Sequence, residues 1–146
     1  MRLLDPMQIG LTGTRLIEAS AGTGKTYTIT SLVLRQLIER GIEVGRILVV
    51  TYTRAATAEL RDRIRQRLRE ALYAFEAAAD ATLPGADAAR DDVIRSLVER
   101  SRASGSLERE RTRVLAALRG FDEAAIFTIH GFCQRVLRDH AFESGS

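Results

Sequence analysis

Cysteine is almost missing from this sequence of 146 residues, which contains Cys133 and no other. One cysteine excludes an internal disulfide framework and is typical of a reducing compartment. No apolar run approaches the roughly 18–20 residues that cross a membrane, and the first residues lack a signal-peptide pattern. We therefore expect a cytoplasmic protein with enough chain for one domain. Its net charge of +3 permits a nucleic-acid partner without demanding one.

Lysine is just as scarce, because Lys25 is the only lysine beside 21 arginines. It lies in residues 16–26 (LIEASAGTGKT), which predict a strand, a glycine-rich turn and the start of a helix. Glycines let backbone N–H groups point at phosphate oxygens, a lysine can reach the β- and γ-phosphates, and a threonine hydroxyl can bind Mg²⁺. A chain that otherwise uses arginine has kept a compact ammonium here. The stretch predicts a phosphate-binding loop, with Lys25 and Thr26 as catalytic residues and Thr26 as the Mg²⁺ ligand.

The predicted loop departs from the usual pattern G-x-x-x-x-G-K-[ST] at its first position, where Ala19 replaces glycine. That residue only has to leave a strand in ordinary backbone geometry, so the loop can still work. A glycine-rich turn that binds no ligand is the simpler alternative. The residues predicted to bind the nucleotide are Ala19, Ser20, Ala21, Gly22, Thr23, Gly24, Lys25 and Thr26.

Apolar spacing along the chain predicts strands that alternate with helices. The strands are expected at 16–21, 46–53 and 125–130. The helices are expected at about 24–40, 54–75, 91–102, 107–119 and 132–142, with a loop at 77–90. The continuous apolar run at 47–50 is typical of a strand covered on both faces. The predicted fold class is α/β, a parallel sheet with flanking helices and right-handed crossovers.

Polar residues follow each predicted strand. Ligands of open α/β sheets bind outside the carboxyl ends of the strands. The first strand delivers the glycine-rich loop to that edge, the second delivers Thr51, Tyr52 and Thr53, and the third delivers Thr128 and His130. The topology therefore predicts that three polar clusters converge on one edge of the sheet.

Residues 51–54 admit two interpretations of equal weight. Their hydroxyls, aromatic ring, Arg54 and the N-terminus of the next helix suit a nucleic-acid backbone with a base stacked on the ring. Alternatively, Thr53 merely caps that helix and Tyr52 packs beside it. The helix also carries six arginines against three acidic residues over 54–70. An anionic neighbour would suit them, although a solvated charged face is the simpler explanation.

Histidine and cysteine near the third strand do not predict a metal site. His130 and Cys133 are three residues apart, and only His140 is near them in the sequence. Zinc needs three or four ligands. A nucleophilic Cys–His pair is equally weak, because nothing in the sequence would orient the histidine.

Three blocks of the sequence resemble the UvrD-like superfamily 1 DNA helicases: 16–29, 48–65 and 122–137, with 141–145 in the same register after them. They cover about half the chain and follow the family's order. The resemblance implies a P-loop NTPase (RecA-like) fold in which 1–146 is the N-terminal part of the first motor domain and 76–120 is a helical insertion. It also implies that 19–26 binds ATP and Mg²⁺.

The resemblance further implies contacts to single-stranded DNA by Thr51, Tyr52, Thr53, Arg54, Thr128 and His130. Within the family, the sequence more closely resembles members that are subunits of ATP-dependent helicase–exonucleases. These process double-strand ends for recombinational repair, together with further subunits. Tyr52 stands where phenylalanine is more usual, which preserves a stacking ring. Gln8 is only a weak candidate for the family's adenine-reading glutamine.

Two parts of such a motor are missing from the 146 residues. The first is an acidic strand end that completes Mg²⁺ coordination, since the pair at 122–123 precedes the third strand. The second is the set of arginine fingers from another motor domain. We therefore expect an incomplete first motor domain that hydrolyses ATP negligibly. The alternatives are a stand-alone nucleotide- or DNA-binding module without ATPase activity, and a small P-loop kinase, which would leave the block at 51–60 without a role.

Overall fold

The computed structural model describes residues 4–18, 24–80 and 90–141. Over these ranges the chain forms five α-helices and two strands. In chain order they are α1 (Lys25–Ile38), β1 (Leu48–Thr51), α2 (Arg54–Ala79), α3 (Asp92–Ser104), α4 (Leu107–Arg119), β2 (Ala125–Thr128) and α5 (Ile129–Ala141). Short 3₁₀ turns occupy Pro6–Gln8, Val44–Arg46 and Phe121–Glu123. None of the described helices is long and apolar enough to cross a membrane.

The long helix α2 is the centre of the packing. Its apolar residues recur every three or four positions, so one stripe of the helix is buried, as the sequence predicts. That stripe contacts α1, α3 and α4 as well as both strands. The helix continues to Ala79, four residues beyond the predicted end, because a run of alanines favours helix and buries Ala77. Its largest buried side chains are Ile64, Leu68 and Phe75.

The strands β1 and β2 are neighbours and run parallel, with Val49 opposite Ile126 and Thr51 opposite Thr128. The predicted parallel orientation is confirmed for this pair of strands. Burial alternates along β1, and the side chains of Leu48 and Val50 are exposed. The prediction that this strand is covered on both faces is therefore wrong over the described residues. Such cover needs helices on each side of the sheet, and the described helices leave these two side chains in solvent.

The first predicted strand is not formed over its described part. Residues 16–18 have no regular structure, and Leu16 is 86% exposed. Residues 19–21 lie outside the described ranges. A strand needs a neighbour for its backbone hydrogen bonds, and within the described sheet β1 and β2 pair with each other alone.

The third predicted strand ends two residues early. The Thr128 side chain accepts a hydrogen bond from the backbone N–H of Gly131 at 3.0 Å. A threonine in this position caps the start of a helix and satisfies one of its free N–H groups. His130 therefore lies in the first turn of α5 and not at a strand end.

The segment before α1 is attached to that helix by one buried side chain. The guanidinium of Arg35 donates to the carbonyls of Pro6 at 2.7 Å and Ile9 at 2.6 Å. It also forms an ion pair with Glu39 at 2.8 Å. Arg35 is 6% exposed, so these partners are needed to offset the loss of water. Gln8, in the same segment, is exposed.

Candidate functional site

The start of α1 has the geometry that an anion site requires. Gly24 precedes the helix with φ at 82°, a left-handed conformation that glycine adopts without strain. It has no side chain with which to cap the helix, so the N–H groups of the first turn and the positive end of the helix dipole face the loop. Lys25 is exposed and Thr26 is half-buried. The structure thus describes three of the eight predicted loop residues, and 19–23 lie outside it.

One buried arginine from α2 holds this first turn. Arg67 is 7% exposed, and its Nη1 donates to the Thr30 hydroxyl at 2.8 Å and the Ser31 hydroxyl at 2.6 Å. The same nitrogen lies 3.2 Å from the Tyr27 carbonyl oxygen. Both hydroxyls in turn donate to that carbonyl, at 3.1 and 2.7 Å. Arg67 therefore binds the side chains and the backbone of the turn that follows Lys25.

The charge of Arg67 is balanced by Asp91, the residue before α3. Its carboxylate accepts from Arg67 Nη2 at 2.8 Å and from the backbone N–H groups of Val93 and Ile94 at 2.9 and 3.0 Å. The Tyr27 hydroxyl is 3.4 Å away, and the guanidinium lies 4.5 Å from the centre of the Tyr27 ring. We call Tyr27, Arg67 and Asp91 the brace. It joins α1, α2 and α3 at one point.

A cavity of about 440 Å³ opens between the first turn of α1 and the middle of α2. Its volume lies within the range of small-molecule sites. Its walls include Thr26, the predicted Mg²⁺ ligand, and all three residues of the brace. The rest of the lining is mostly charged, with both signs present: Glu59, Arg63, Gln66 and Glu70, beside Thr30.

The second predicted cluster lies at the carboxyl end of the sheet. Thr51 and Thr128 are opposite each other, so the residues that follow β1 and β2 start from the same edge. The predicted convergence of these two clusters is confirmed at the level of strand register. Tyr52 is 90% exposed, and Arg54 and His130 are exposed as well. The surface formed by residues 51–54, 128 and 130 is called the rim below.

The contacts at the rim bear on the two interpretations of residues 51–54. The Thr53 hydroxyl accepts from the N–H of Ala56 at 3.0 Å, so it does cap α2. The Thr51 and Thr57 hydroxyls are 2.6 Å apart, and both lie within hydrogen-bond distance of the Thr53 carbonyl. Packing does not explain Tyr52, whose ring stands in solvent. The threonines shape the turn, and the Tyr52 ring is 90% exposed.

The arginines of α2 do not all lie on a solvated charged face, which was the simpler explanation for them. Arg61 donates to the carbonyl of Ile126 at 3.1 Å, and Arg65 lies over the Phe121 ring at 4.8 Å from its centre. With Arg67, three of the six are thus bound within the fold. Sequence reasoning missed Arg67 and its partner Asp91. The signal was present, because position 67 falls on the apolar stripe of α2 between Ile64 and Ala71.

The acidic pair at 122–123 lies in the 3₁₀ turn before β2, as its place in the sequence indicates. Asp122 is exposed and lies 3.7 Å from Arg65. Over the residues that the structure covers, no group of three or more histidine, cysteine, aspartate and glutamate side chains could hold a metal ion.

The chain belongs to the UvrD/REP helicase N-terminal domain family, whose model matches residues 4–146. The resemblance seen in the three sequence blocks is confirmed. The class of protein is therefore the UvrD/REP helicase family, and this chain matches its N-terminal domain.

Curated relatives make the likeness more specific. The chain is 45% identical over 151 residues to the RecBCD enzyme subunit RecB of Escherichia coli (strain K12), and the match covers 97% of this chain. It is 41% identical over 149 residues to RecB of Haemophilus influenzae, and 39% identical over 125 residues to RecB of Mycobacterium tuberculosis. The chain spans only 12%, 12% and 10% of the length of these three relatives.

The brace predicts a loss of stability at alkaline pH. Burial raises the pKa of Tyr27 above its ordinary value of 10.0, the Asp91 carboxylate adds to this, and Arg67 opposes it. The folded state therefore holds the phenol proton more tightly than the unfolded state does. The protonated Tyr27 phenol therefore stabilises the folded state below pH 10, and this stabilisation is lost as the pH rises through the folded-state pKa.

Urea unfolding tests this prediction. Above pH 10, the free energy of unfolding of the native chain should fall more steeply than that of the variant Tyr27→Phe. The matched control is Tyr73→Phe, and an equal fall in native chain and Tyr27→Phe would contradict the prediction.

Proposed function

We propose that this chain is the N-terminal part of the first motor domain of an ATP-dependent DNA helicase, with a P-loop NTPase (RecA-like) fold and a helical insertion at 76–120. The observation that carries the proposal is the start of α1. There Gly24 in left-handed geometry, the uncapped first turn and exposed Lys25 follow the sequence Ala19 to Thr23 in a chain of this helicase family.

The nucleotide would be held by residues 19–26. Backbone N–H groups of the loop and of the first helical turn would bind phosphate oxygens, and the ammonium of Lys25 would reach the β- and γ-phosphates. The Thr26 hydroxyl would ligate Mg²⁺, and its place on the wall of the cavity fits that role. Bound MgATP supplies the phosphoryl transfer that drives a motor of this class.

The single strand would be bound at the rim. The exposed ring of Tyr52 offers a face on which a base can stack. The hydroxyls of Thr51 and Thr53 already bind within the turn. The phosphate contacts therefore fall to Arg54, His130 and the N–H groups at the start of α2 and α5. Thr51, Thr53 and Thr128 set the positions of those groups.

The proposal for the whole protein follows the relatives, which are subunits of the RecBCD enzyme. We infer an ATP-dependent helicase and exonuclease of the exodeoxyribonuclease V type. It would act on duplex DNA ends in double-strand-break processing and recombination, with RecC-like and RecD-like subunits. Closure of two motor domains on ATP would then move the strand past Tyr52. These activities belong to a protein much longer than the 146 residues.

A second candidate is a nucleotide- or DNA-binding module without ATPase activity. The observation in its favour is the acidic pair at 122–123, which lies in the turn before β2 and not at a strand end beside Thr26. The pair therefore does not supply the acidic strand end that a motor of this family uses to complete Mg²⁺ coordination.

The nucleotide site is tested by replacing Lys25. We expect Lys25→Ala to weaken binding of a fluorescent ATP analogue with Mg²⁺ by about 10–150-fold, since hydrogen bonds to charged groups are worth about 1.5–3 kcal/mol. The matched control is Arg40→Ala, which removes an exposed cation two residues beyond the opposite end of the same helix. Equal affinity in the native chain and in Lys25→Ala would overturn the nucleotide site.

Hydrolysis is a separate prediction. Phosphate release with single-stranded DNA present should be negligible, and turnover that Lys25→Ala abolishes would contradict the expectation of an incomplete motor.

The rim is tested with an oligothymidine labelled for fluorescence anisotropy. We expect Tyr52→Ala to weaken binding by about 5–150-fold, because one base stacked on an aromatic ring is worth about 1–3 kcal/mol. Tyr73→Ala is the control, since Tyr73 is a half-exposed tyrosine near the far end of α2. Affinity should also fall with rising salt, as phosphate contacts require. Binding unchanged by Tyr52→Ala would remove the rim as the strand site.

A further inference from the structure

Arg35 and Arg67 are the two buried arginines over the described residues, and they hold opposite ends of α1. Arg35 fixes the second half of that helix to the segment before it, through the carbonyls of Pro6 and Ile9. Arg67 fixes the first half to α2 and to the start of α3. Only the contacts of Arg67 lie next to the predicted phosphate-binding residues.

We propose that Arg67 is a positioning residue for the nucleotide site. It sets the first turn of α1 and, through that turn, the directions of Lys25 and Thr26. The inference rests on the proposed nucleotide-binding function and goes beyond it, because position 67 lies outside the glycine-rich loop and its pattern.

The contacts on the α1 side converge on one backbone group. The Tyr27 carbonyl lies two residues after Lys25 and is approached by Arg67 Nη1 and by the hydroxyls of Thr30 and Ser31. Arg67 Nη1 also donates to both hydroxyls. These atoms therefore share one set of hydrogen bonds, and a shift of the turn would break several of them together.

On the other side, the guanidinium itself cannot move freely. Asp91 binds Nη2 at 2.8 Å, and that carboxylate is in turn held by two N–H groups of α3. The guanidinium plane also lies on the Tyr27 ring. Arg67 is thus fixed by α3 and transmits that position to α1.

The third donor atom of Arg67 is its Nε, and Arg67 also lies at the cavity. Its Nε is buried and has no hydrogen-bond partner among the residues that the structure describes. A buried unpaired donor is costly and uncommon in folded proteins. Arg67 lines the same cavity as Thr26, and the contacts of Nη1 and Nη2 offset the cost of this unpaired N–H.

Lysine is the variant that separates positioning from charge. An ammonium can keep the ion pair with Asp91, but it lacks the planar fork that binds Asp91, two hydroxyls and a ring face at the same time. Arg67→Lys therefore keeps the charge and loses the geometry. Arg35→Lys makes the same chemical change at the other end of α1 and serves as the matched control.

The experiment measures affinity for a fluorescent ATP analogue, the Mg²⁺ concentration for half-maximal binding, and urea unfolding. We expect Arg67→Lys to weaken nucleotide binding by about 10-fold and to raise the Mg²⁺ requirement, as loss of a supporting contact behind a binding group does. Arg35→Lys should change the nucleotide affinity and the Mg²⁺ requirement by no more than about twofold, even if it lowers the urea unfolding midpoint as much as Arg67→Lys does. That contrast is a readout that a purely structural role would not produce.

A second pair of variants avoids unburying a charge. Ser31→Ala removes the 2.6 Å contact with Arg67, whereas Ser101→Ala removes an equally buried hydroxyl within α3. Ser31→Ala should weaken nucleotide binding, and Ser101→Ala should not. Native affinity in both folded Arg67→Lys and Ser31→Ala would overturn the positioning role while leaving the nucleotide site intact. A native chain that binds no better than Lys25→Ala would overturn the proposed function, and the positioning role with it.

Discussion

The ion pair between Arg67 and Asp91 is the interaction on which the proposed nucleotide site at the start of α1 depends. Both side chains are largely buried, and a buried charge that loses its partner costs about 3–5 kcal/mol. The pair can therefore exist only while α1, α2 and the start of α3 keep their relative positions. Those are also the positions that bring Thr26 and Tyr27 to the wall of the cavity. Stability and site geometry are set by the same contacts.

The second constraint is that α2 serves both candidate sites. It begins beside the exposed Tyr52, where Thr53 caps it, and fourteen residues after that cap it presents Arg67 to the first turn of α1. A continuous helix of this length is stiff, and the apolar stripe that runs along it is packed in the core. The proposed nucleotide site and strand-binding rim are thus built on one rigid element.

Local pattern predicted the elements well and their surroundings less well. The helical stripe of α2 and the positions of β1 and β2 follow from apolar spacing, which is a property of the sequence itself. Cover for Leu48 and Val50 depends on what packs against the sheet, and no short-range pattern carries that information. Arg67 was missed for the same reason, because an arginine on an apolar stripe becomes a buried partner only when a residue such as Asp91, distant in the sequence, reaches it. His130 was assigned to the third strand because the capping of α5 by Thr128, which ends that strand, needs the backbone position of Gly131.

The central claim is that the first turn of α1 is a nucleotide-binding surface held in place by α2. Amide hydrogen exchange with and without a saturating Mg²⁺–ATP analogue tests it most directly, since exchange reports protection residue by residue. The account predicts slower exchange at residues 24–31 on binding, with α4 unchanged. Protection confined to α4 or α5, or none at 24–31 while the nucleotide is bound, would contradict it.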